Sequence, residues 1–107
     1  MPPNFNIEIL PDVTEFLDKC NEKLRVKILR KLQYVNEFGL TSAVPSLKKV
    51  IKTNFWELRI LGKDNVRLFC IRNKNTIWII HAFFKKTQKT KRREINIAKK
   101  RFHSLDL

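Results

Sequence analysis

The stretch FWELRILGKDNVRLFCIRNKNTIWIIHAFF, residues 55–84, decides the fold of this chain of 107 residues. In residues 55–60 side chains alternate, which predicts a strand with Trp56, Leu58 and Ile60 on one side and Glu57 and Arg59 on the other. Two short polar segments, 61–65 and 73–75, have the composition of tight turns. They separate two further strands, 66–72 and 76–84, and the second is apolar almost throughout, which indicates burial on both sides. Turns this short make the three strands antiparallel neighbours.

The residues before this stretch predict a strand followed by a helical hairpin. Residues 4–10 alternate weakly, and Pro11 ends the pattern. A short helix from about Asp12 is indicated by apolar residues at helical spacing, namely Val13, Phe16, Leu17 and Cys20. Asn21 is placed to cap a second helix and Gly39 to end it, with a buried stripe of Leu24, Ile28, Leu32 and Val35. Residues 41–54 are expected to be a connection.

A last helix is predicted from about Thr90 to His103, with an apolar stripe of Ile95, Ala98 and Phe102. The whole chain, 1–107, is therefore expected to be a single α+β domain. It has an N-terminal strand and a helical hairpin packed on a mainly antiparallel sheet of about four strands, with the hairpin on one side of the sheet. We expect the other side of the sheet to be an exposed polar surface that carries Glu57 and Arg59.

Basic residues are concentrated in the second half of the sequence. The chain has 23 Lys and Arg against 10 Asp and Glu, a formal net charge of +13. Residues 1–50 contribute +2 and residues 51–107 contribute +11. Segment 85–101 alone holds nine basic residues against one acid, Glu94. A field this one-sided attracts a polyanion, either nucleic acid or an acidic protein segment.

Composition also excludes several classes of protein. Eight Phe and two Trp argue against intrinsic disorder. The longest apolar stretch without a charge, 75–84, has half the roughly 20 residues that a membrane span needs. The opening residues MPPNFNIEIL lack the pattern of a secretory signal. Two Cys and two His give neither a disulfide framework nor a zinc motif, so we expect a cytoplasmic protein without metal or cofactor.

A candidate RNA-cleaving site follows from the strand alternation. Glu57 and Arg59 project from one side of a strand, and Arg67 lies just past the turn on the next strand. Cleavage of RNA by its own 2′-OH needs a base for the 2′-OH proton, cations for the phosphate and an acid for the leaving 5′-oxygen. Glu57 fits the base, and Arg59 and Arg67 fit the phosphate contacts. The candidates for the acid are Lys85, Lys86 and His81.

Structural interpretations of the same residue types stay open. A Glu and an Arg two residues apart on a strand also form solvated surface or a cross-strand ion pair. His81 inside an apolar strand is typical of a hydrogen-bonded core or rim residue. Cys20, Cys70 and Trp78 are expected in the core, whereas Phe84 fits either the core or a base-stacking surface.

Two motifs together resemble a known toxin family. They are WELR at 56–59, followed by NVRL at 65–68, and IHAFFKKTQKT at 80–90, followed by RREI at 92–95 and AKKR at 98–101. The block resembles the RelE/HigB-like toxins of bacterial type II toxin–antitoxin systems, in the branch related to phage-derived proteins. The resemblance extends in outline over nearly the whole chain. It implies a small α+β fold of the microbial ribonuclease kind and metal-independent cleavage of mRNA in the ribosomal decoding site.

The resemblance also implies roles for individual residues. The family's phosphate-binding and transition-state arginines fall on Arg59 and Arg67, and its basic strand end falls on Lys85 or Lys86. The general base, which varies among relatives, falls on Glu57, with Lys52 as a neighbouring candidate. RNA binding is expected from nine further cations, which are Lys48, Lys49, Lys52, Lys89, Lys91, Arg92, Arg93, Lys99 and Lys100.

The partners that the resemblance implies are the ribosome, mRNA and a cognate antitoxin, typically a helix-turn-helix DNA-binding protein. Two alternative functions remain. One is a toxin of the same fold that inhibits DNA gyrase by binding, as ParE-like proteins do, and it needs neither a base nor an acid. The other is a non-catalytic RNA-binding module.

Overall fold

The computed structural model describes residues 5–86 and 92–107. In this part of the chain the elements are β1 (Asn6–Ile9), α1 (Pro11–Lys19), α2 (Glu22–Phe38), β2 (Leu47–Lys49), β3 (Trp56–Ile60), β4 (Val66–Asn73), β5 (Thr76–Phe84) and α3 (Arg92–Ser104). The predicted α+β class is confirmed. The predicted start of the last helix, near Thr90, lies outside the described residues.

Local sequence signals fix the ends of the helical hairpin. α1 begins at Pro11. Proline lacks a backbone N–H, and the N–H groups in the first turn of a helix have no partner within the helix, so proline fits this position. The Asn21 side chain caps α2 by accepting a hydrogen bond from the Leu24 backbone N–H at 2.8 Å. α2 ends at Gly39, which has a φ of 81°. A Cβ at this position would lie 2.7 Å from the ring of Phe5, so glycine is also required by close packing.

The strands form one mixed sheet in the order β1-β5-β4-β3-β2. β1 runs parallel to β5, and the other neighbouring pairs are antiparallel. The interior place of β5 agrees with its continuous apolar sequence. The prediction of about four strands missed β2, which lies within the segment 41–54 that was expected to be a connection. A strand of three residues carries too little alternation to be detected, and its pairing with β3 is what orders it.

The pairing of β4 with β5 is interrupted by a bulge. Phe69 is opposite His81, but the next residue, Cys70, is opposite Ile79. Ile80 is therefore the extra residue on β5. Because of it, the consecutive side chains of Ile80 and His81 both face α3.

The main core lies between the helical hairpin and the sheet. It contains Leu58, Leu68 and Ile79 from the strands together with Val13 and Ile28 from the helices, all completely buried. Cys20 and Cys70 belong to it, as predicted. Burial raises the pKa of the Cys70 thiol to about 12, so this thiol stays protonated and unreactive.

A second core lies on the opposite side of the sheet, under α3. It is built around Phe69, Ile80 and Ala98, and the predicted helix residues Ile95 and Phe102 pack against it. The expectation that this side of the sheet is an open polar surface is therefore wrong where α3 covers it. The physical reason is that the sheet also carries large apolar side chains on this side, and the stripe of α3 removes them from water. Trp78 is half-buried against the same cluster.

Candidate active site

Three charged side chains meet on the α3 side of the sheet, near the β3–β4 turn. The strand register places Arg59 opposite Arg67 and Glu57 opposite Phe69. Nε of Arg59 donates a hydrogen bond to Oε1 of Glu57 at 3.2 Å. Nε of Arg67 lies 3.7 Å from the same oxygen. The structure thus brings together the carboxylate and both arginines of the predicted site.

Two members of this cluster are buried, although the sequence pattern had suggested an exposed surface. Glu57 is 4% exposed and Arg67 is 5% exposed. Nη1 of Arg67 donates to the backbone oxygen of Val66 at 3.1 Å, and its Nε makes no hydrogen bond within the described part of the chain. Burial lowers the pKa of Arg67, and the nearby Glu57 carboxylate opposes that shift. A guanidinium stays protonated under such conditions, so Glu57 compensates a buried positive charge.

Arg59 is the member of the cluster that solvent reaches. Its side chain is 35% exposed, against 7% for Arg67 and 6% for Glu57. An arginine fork binds a carboxylate or a phosphate with the same planar geometry. An incoming anion can therefore replace the Glu57 carboxylate as the partner of the Arg59 guanidinium without entering the core.

Lys48 adds a further cation beside the cluster. It lies directly opposite Glu57 in the pairing of β2 with β3, so both residues belong to the same side of the sheet. Lys48 is exposed. With the two arginines around one carboxylate, this edge of the sheet carries a net positive charge, which suits an anionic ligand.

The basic end of β5 comes close to the start of β4. The Lys85 N–H donates to the backbone oxygen of Asn65 at 2.9 Å, and the Asn65 side chain donates back to the Lys85 oxygen at 3.2 Å. These bonds hold the end of β5 beside the strand that carries Arg67. Lys85 is half-buried and Lys86 is exposed.

His81 is held by two side chains of α3. Its Nε2 lies 2.9 Å from Oε1 of Glu94, and its Nδ1 lies 3.0 Å from Nη1 of Arg101. Because a guanidinium can only donate, Nδ1 is the acceptor and Nε2 carries the proton toward Glu94. Burial lowers the pKa of His81, and the hydrogen bond to Glu94 opposes this shift. Nε of Arg101 also lies 3.2 Å from Oδ2 of Asp12, so the network connects β5, α3 and α1.

Both ring nitrogens of His81 are thus engaged by protein groups. This arrangement agrees with the structural interpretation of a histidine in an apolar strand. Of the three candidates for a proton donor, Lys85 and Lys86 are thus the ones without such a network among the described contacts.

The other predicted RNA-binding residues are spread over separate surfaces. Lys49 faces away from Glu57, and its Nζ lies 5.6 Å from the centre of the Trp56 ring. Lys52 is exposed in the β2–β3 connection with a φ of 63°. Four cations are exposed on α3, namely Arg92, Arg93, Lys99 and Lys100. Lys89 and Lys91 lie outside the described residues.

Sequence reasoning missed three features of this region. It did not find the position of Lys48 opposite Glu57, because the pairing of β2 is set by tertiary contacts. It did not foresee the contacts of His81 with α3, because a single histidine carries no information about its partners. It also gave no role to Phe83, whose place opposite Arg67 depends on the register after the bulge.

No group of three or more His, Cys, Asp or Glu side chains within the described residues could hold a metal ion. In the same part of the chain, no helix has the length and apolar character required to cross a bilayer.

Comparisons with known proteins agree with this architecture. A family model described as phage-derived protein Gp49-like matches residues 15–103. A solved structure of the E. coli toxin RelE, a mutant with two arginines changed to alanine and in the free state, matches with a TM-score of 0.70. The match has 17% sequence identity and covers 92% of this chain and 97% of that chain. This likeness establishes the fold. No curated protein sequence matches this chain.

Proposed function

We propose that this chain, which belongs to the family of Gp49-like phage-derived proteins, is the toxin of a bacterial type II toxin–antitoxin pair. We propose further that it is a ribosome-dependent endoribonuclease that works without a metal. The fold shared with RelE supports the first statement. The observation that carries the second is the contact of one carboxylate with two arginines at a basic sheet edge.

In this proposal the accessible cations bind the scissile phosphate. Arg59 turns from Glu57 to the phosphate, and Lys48 approaches it from the edge strand. Arg67 stays in place beneath them and contributes positive charge where negative charge builds up on the phosphate oxygens. Its burial makes that contribution stronger than it is in water.

Glu57 is the proposed proton acceptor. Once Arg59 has moved to the phosphate, the carboxylate is still oriented by Arg67 and can take the proton of the RNA 2′-OH. The 2′-oxygen then bonds to phosphorus, and the bond from phosphorus to the 5′-oxygen breaks. Lys85 or Lys86 donates the proton to the leaving oxygen. The products are a 2′,3′-cyclic phosphate and a 5′-OH end. Lys52, in the exposed connection before β3, is the alternative base.

The remaining cations are proposed to dock the protein on ribosomal RNA. The exposed residues Arg92, Arg93, Lys99 and Lys100 give α3 a positive surface. Lysines and arginines on a helix surface bind phosphates by charge and release counterions. The ribosome and its mRNA are thus the proposed targets, in the cytoplasm.

The proposed second partner is an antitoxin, and α2 is its proposed contact surface. Four apolar residues of α2 are substantially exposed, namely Val26 at 42%, Leu29 at 44%, Tyr34 at 53% and Phe38 at 56%. Val26 and Tyr34 are interspersed with four cations, Lys23, Lys27, Arg30 and Lys31, and one acid, Glu22. An acidic amphipathic helix of the antitoxin complements this surface in both charge and apolar character. A second copy of this chain would bring like charge, with a net charge of +13 on each copy.

Single-turnover cleavage of mRNA on programmed ribosomes tests the proposed activity. Wild-type protein is expected to produce 5′-OH and cyclic phosphate ends in the presence of a chelator. Arg59→Ala is expected to lower the rate by about 10²–10³-fold, which is typical for loss of one transition-state charge contact. Arg72→Ala is the matched control, because Arg72 is an exposed arginine at the other end of β4. Intact mRNA together with inhibited DNA supercoiling would instead support a gyrase-binding toxin.

The antitoxin surface is tested with the double variant Leu29→Lys/Tyr34→Lys. It is expected to retain cleavage but to lose neutralisation by the cognate antitoxin. Ile51→Lys is the control, since Ile51 is an apolar residue that is 81% exposed elsewhere on the surface. Equal neutralisation of both variants would rule out α2 as the contact.

A further inference from the structure

An aromatic side chain stands in line with the two arginines. Arg67 is paired with Arg59 on β3 and with Phe83 on β5. The three side chains therefore form a row across the sheet on the side of α3. Neighbouring strands are about 4.8 Å apart, so Phe83 is one strand away from Arg67 and two strands away from Arg59.

The ring of Phe83 is held in a fixed orientation. His81 stacks on it with ring centres 5.3 Å apart and an angle of 24° between the planes. Phe69 meets it edge-on at 5.3 Å and 71°. His81 is itself fixed by Glu94 and Arg101. A ring with such supports loses little conformational entropy when a ligand binds to it.

Phe83 is also partly exposed, whereas Phe69 and His81 beside it are buried. In an apolar strand that is otherwise well covered, this leaves aromatic surface open to solvent next to a cationic cluster. Lys85 follows just past the end of β5, where its backbone is held beside Asn65. Cations around an accessible ring are the combination that single-stranded nucleic acid binds, because its phosphates and its flat bases alternate.

We propose that Phe83 is a stacking surface for a nucleobase of the RNA whose phosphate binds at Arg59. The proposal rests on the proposed ribonuclease function and adds a base-binding position to it. Every base can stack on an aromatic side chain. Phe83 therefore contributes affinity and positions the base without distinguishing one base from another. Loss of one such contact corresponds to about 5- to 150-fold in affinity.

The experiment is a double-mutant cycle on ribosomes programmed with an mRNA that carries 2′-O-methyl groups, so that it binds but is not cleaved. Each of the three nucleotides in the decoding site is replaced in turn by an abasic nucleotide. Binding is measured for wild type, Phe83→Leu and Phe83→Trp. Phe84→Leu is the matched control, because Phe84 is the next residue, is 45% exposed and packs on Phe16 on the other side of the sheet. Thermal melting of each variant confirms that it is folded.

The expected result is that Phe83→Leu and one abasic position each weaken binding by about 5-fold or more, and that the combination is no weaker than either alone. Phe83→Trp is expected to keep wild-type affinity, and Phe84→Leu is expected to be additive at every position. Additive effects of Phe83→Leu at all three positions would overturn the base-stacking role. If Phe83→Leu does not fold, wild type and Phe83→Trp are compared on the three abasic mRNAs, and equal binding of all three by both proteins overturns the base-stacking role. A wild-type protein that binds no ribosomes overturns the proposed function, and the stacking role with it.

Discussion

Lys48 and Glu57 lie directly opposite each other in the antiparallel pair of β2 and β3. The pairing places an exposed lysine from a three-residue edge strand next to a carboxylate that is only 4% exposed. The next lysine, Lys49, faces the other side of the same strand and lies over the Trp56 ring. Two adjacent lysines with the same charge therefore have different access to the candidate active site.

This difference gives a test by a pair of single substitutions. Lys48→Ala is expected to slow single-turnover cleavage by about 10- to 100-fold, since a hydrogen bond to a charged group contributes about 1.5–3 kcal/mol. Lys49→Ala removes the same charge and is expected to leave the rate nearly unchanged. Equal effects of both substitutions would mean that only the overall charge of β2 matters.

The buried ion pair gives a prediction about stability. Glu57→Gln leaves the Arg67 guanidinium buried without a compensating charge. We expect the free energy of unfolding to fall by about 3–5 kcal/mol, as is typical when one partner of a buried pair is removed. Glu15→Gln is the control, because Glu15 pairs with Lys19 at the same 3.2 Å as Glu57 with Arg59 but with both side chains more than half exposed. Glu15→Gln should lower the free energy of unfolding by about 0–1 kcal/mol.

Denaturant unfolding of the two variants measures this difference. The double variant Glu57→Leu/Arg67→Met removes both charges and keeps side-chain volume, and it is expected to recover much of the lost stability. A Glu57→Gln protein as stable as wild type would show that water reaches Arg67. Cleavage by Glu57→Gln is interpretable only for the fraction that this measurement shows to be folded.

The His81 network predicts that stability depends on pH. The folded-state pKa of His81 is lower than its ordinary value of 6.5, because burial disfavours the imidazolium. The unfolded chain then binds the proton more readily. The contribution of His81 to the free energy of unfolding is therefore fully present above about pH 6.5. It is lost as the pH falls through the folded-state pKa. The charged groups that face the ring are Glu94 and Arg101 on α3, with Asp12 on α1.

Unfolding measured between about pH 5 and 7.5, above the main titration of carboxylates, tests this expectation. His81→Gln should lower stability at pH 7.5 but remove the slope in this range. His103→Gln, at an exposed histidine of the same helix, should keep the slope. An unchanged slope in His81→Gln would assign the pH dependence to other groups.

Salt dependence tests the cationic surface of α3. If about five to seven phosphates are neutralised on binding, log K should fall with log salt with a slope of about −4 to −6. Lys99→Ala/Lys100→Ala is expected to make the slope less steep by about 1–2 while single-turnover cleavage at saturation stays nearly intact. Lys19→Ala/Lys74→Ala removes the same charge at positions outside α3 and should leave the slope unchanged. A flat dependence for wild type would mean that charge does not dock the protein.

The sequence predicted the elements better than it predicted the site surface. Alternation in 55–60 and the signals at Asn21 and Gly39 were sufficient for β3 and α2, because these features depend on neighbouring residues. Alternation also predicted correctly that Glu57 and Arg59 share a side of β3. It could not predict that Glu57 is buried, because its neighbours Arg67 and Phe69 come from the next strand, and the pattern of one strand contains no information about them.

The register of β5 illustrates the same limit. In a regular strand, residues 77, 79, 81 and 83 would share one side. The bulge changes this, so that Ile77 and Ile79 face the helical hairpin whereas His81 and Phe83 face α3. No residue in β5 marks this change by type, since Ile80 resembles its apolar neighbours.

The bulge at Ile80 also divides β5 into two segments with different alternation of their side chains. Before it, Ile77 and Ile79 face the hairpin core and Trp78 packs under α3. After it, Ala82 faces the hairpin core, whereas His81 and Phe83 face α3. In a regular interior strand, a one-residue insertion or deletion would make the side chains of one half face the opposite side of the sheet. Here the extra residue, Ile80, accommodates that change of alternation. Its carbonyl oxygen accepts a hydrogen bond from Arg101 at 3.2 Å. Deletion of Ile80 would therefore give β5 a regular alternation while Ile77 and Ile79 stay toward the hairpin and His81 and Phe83 stay toward α3.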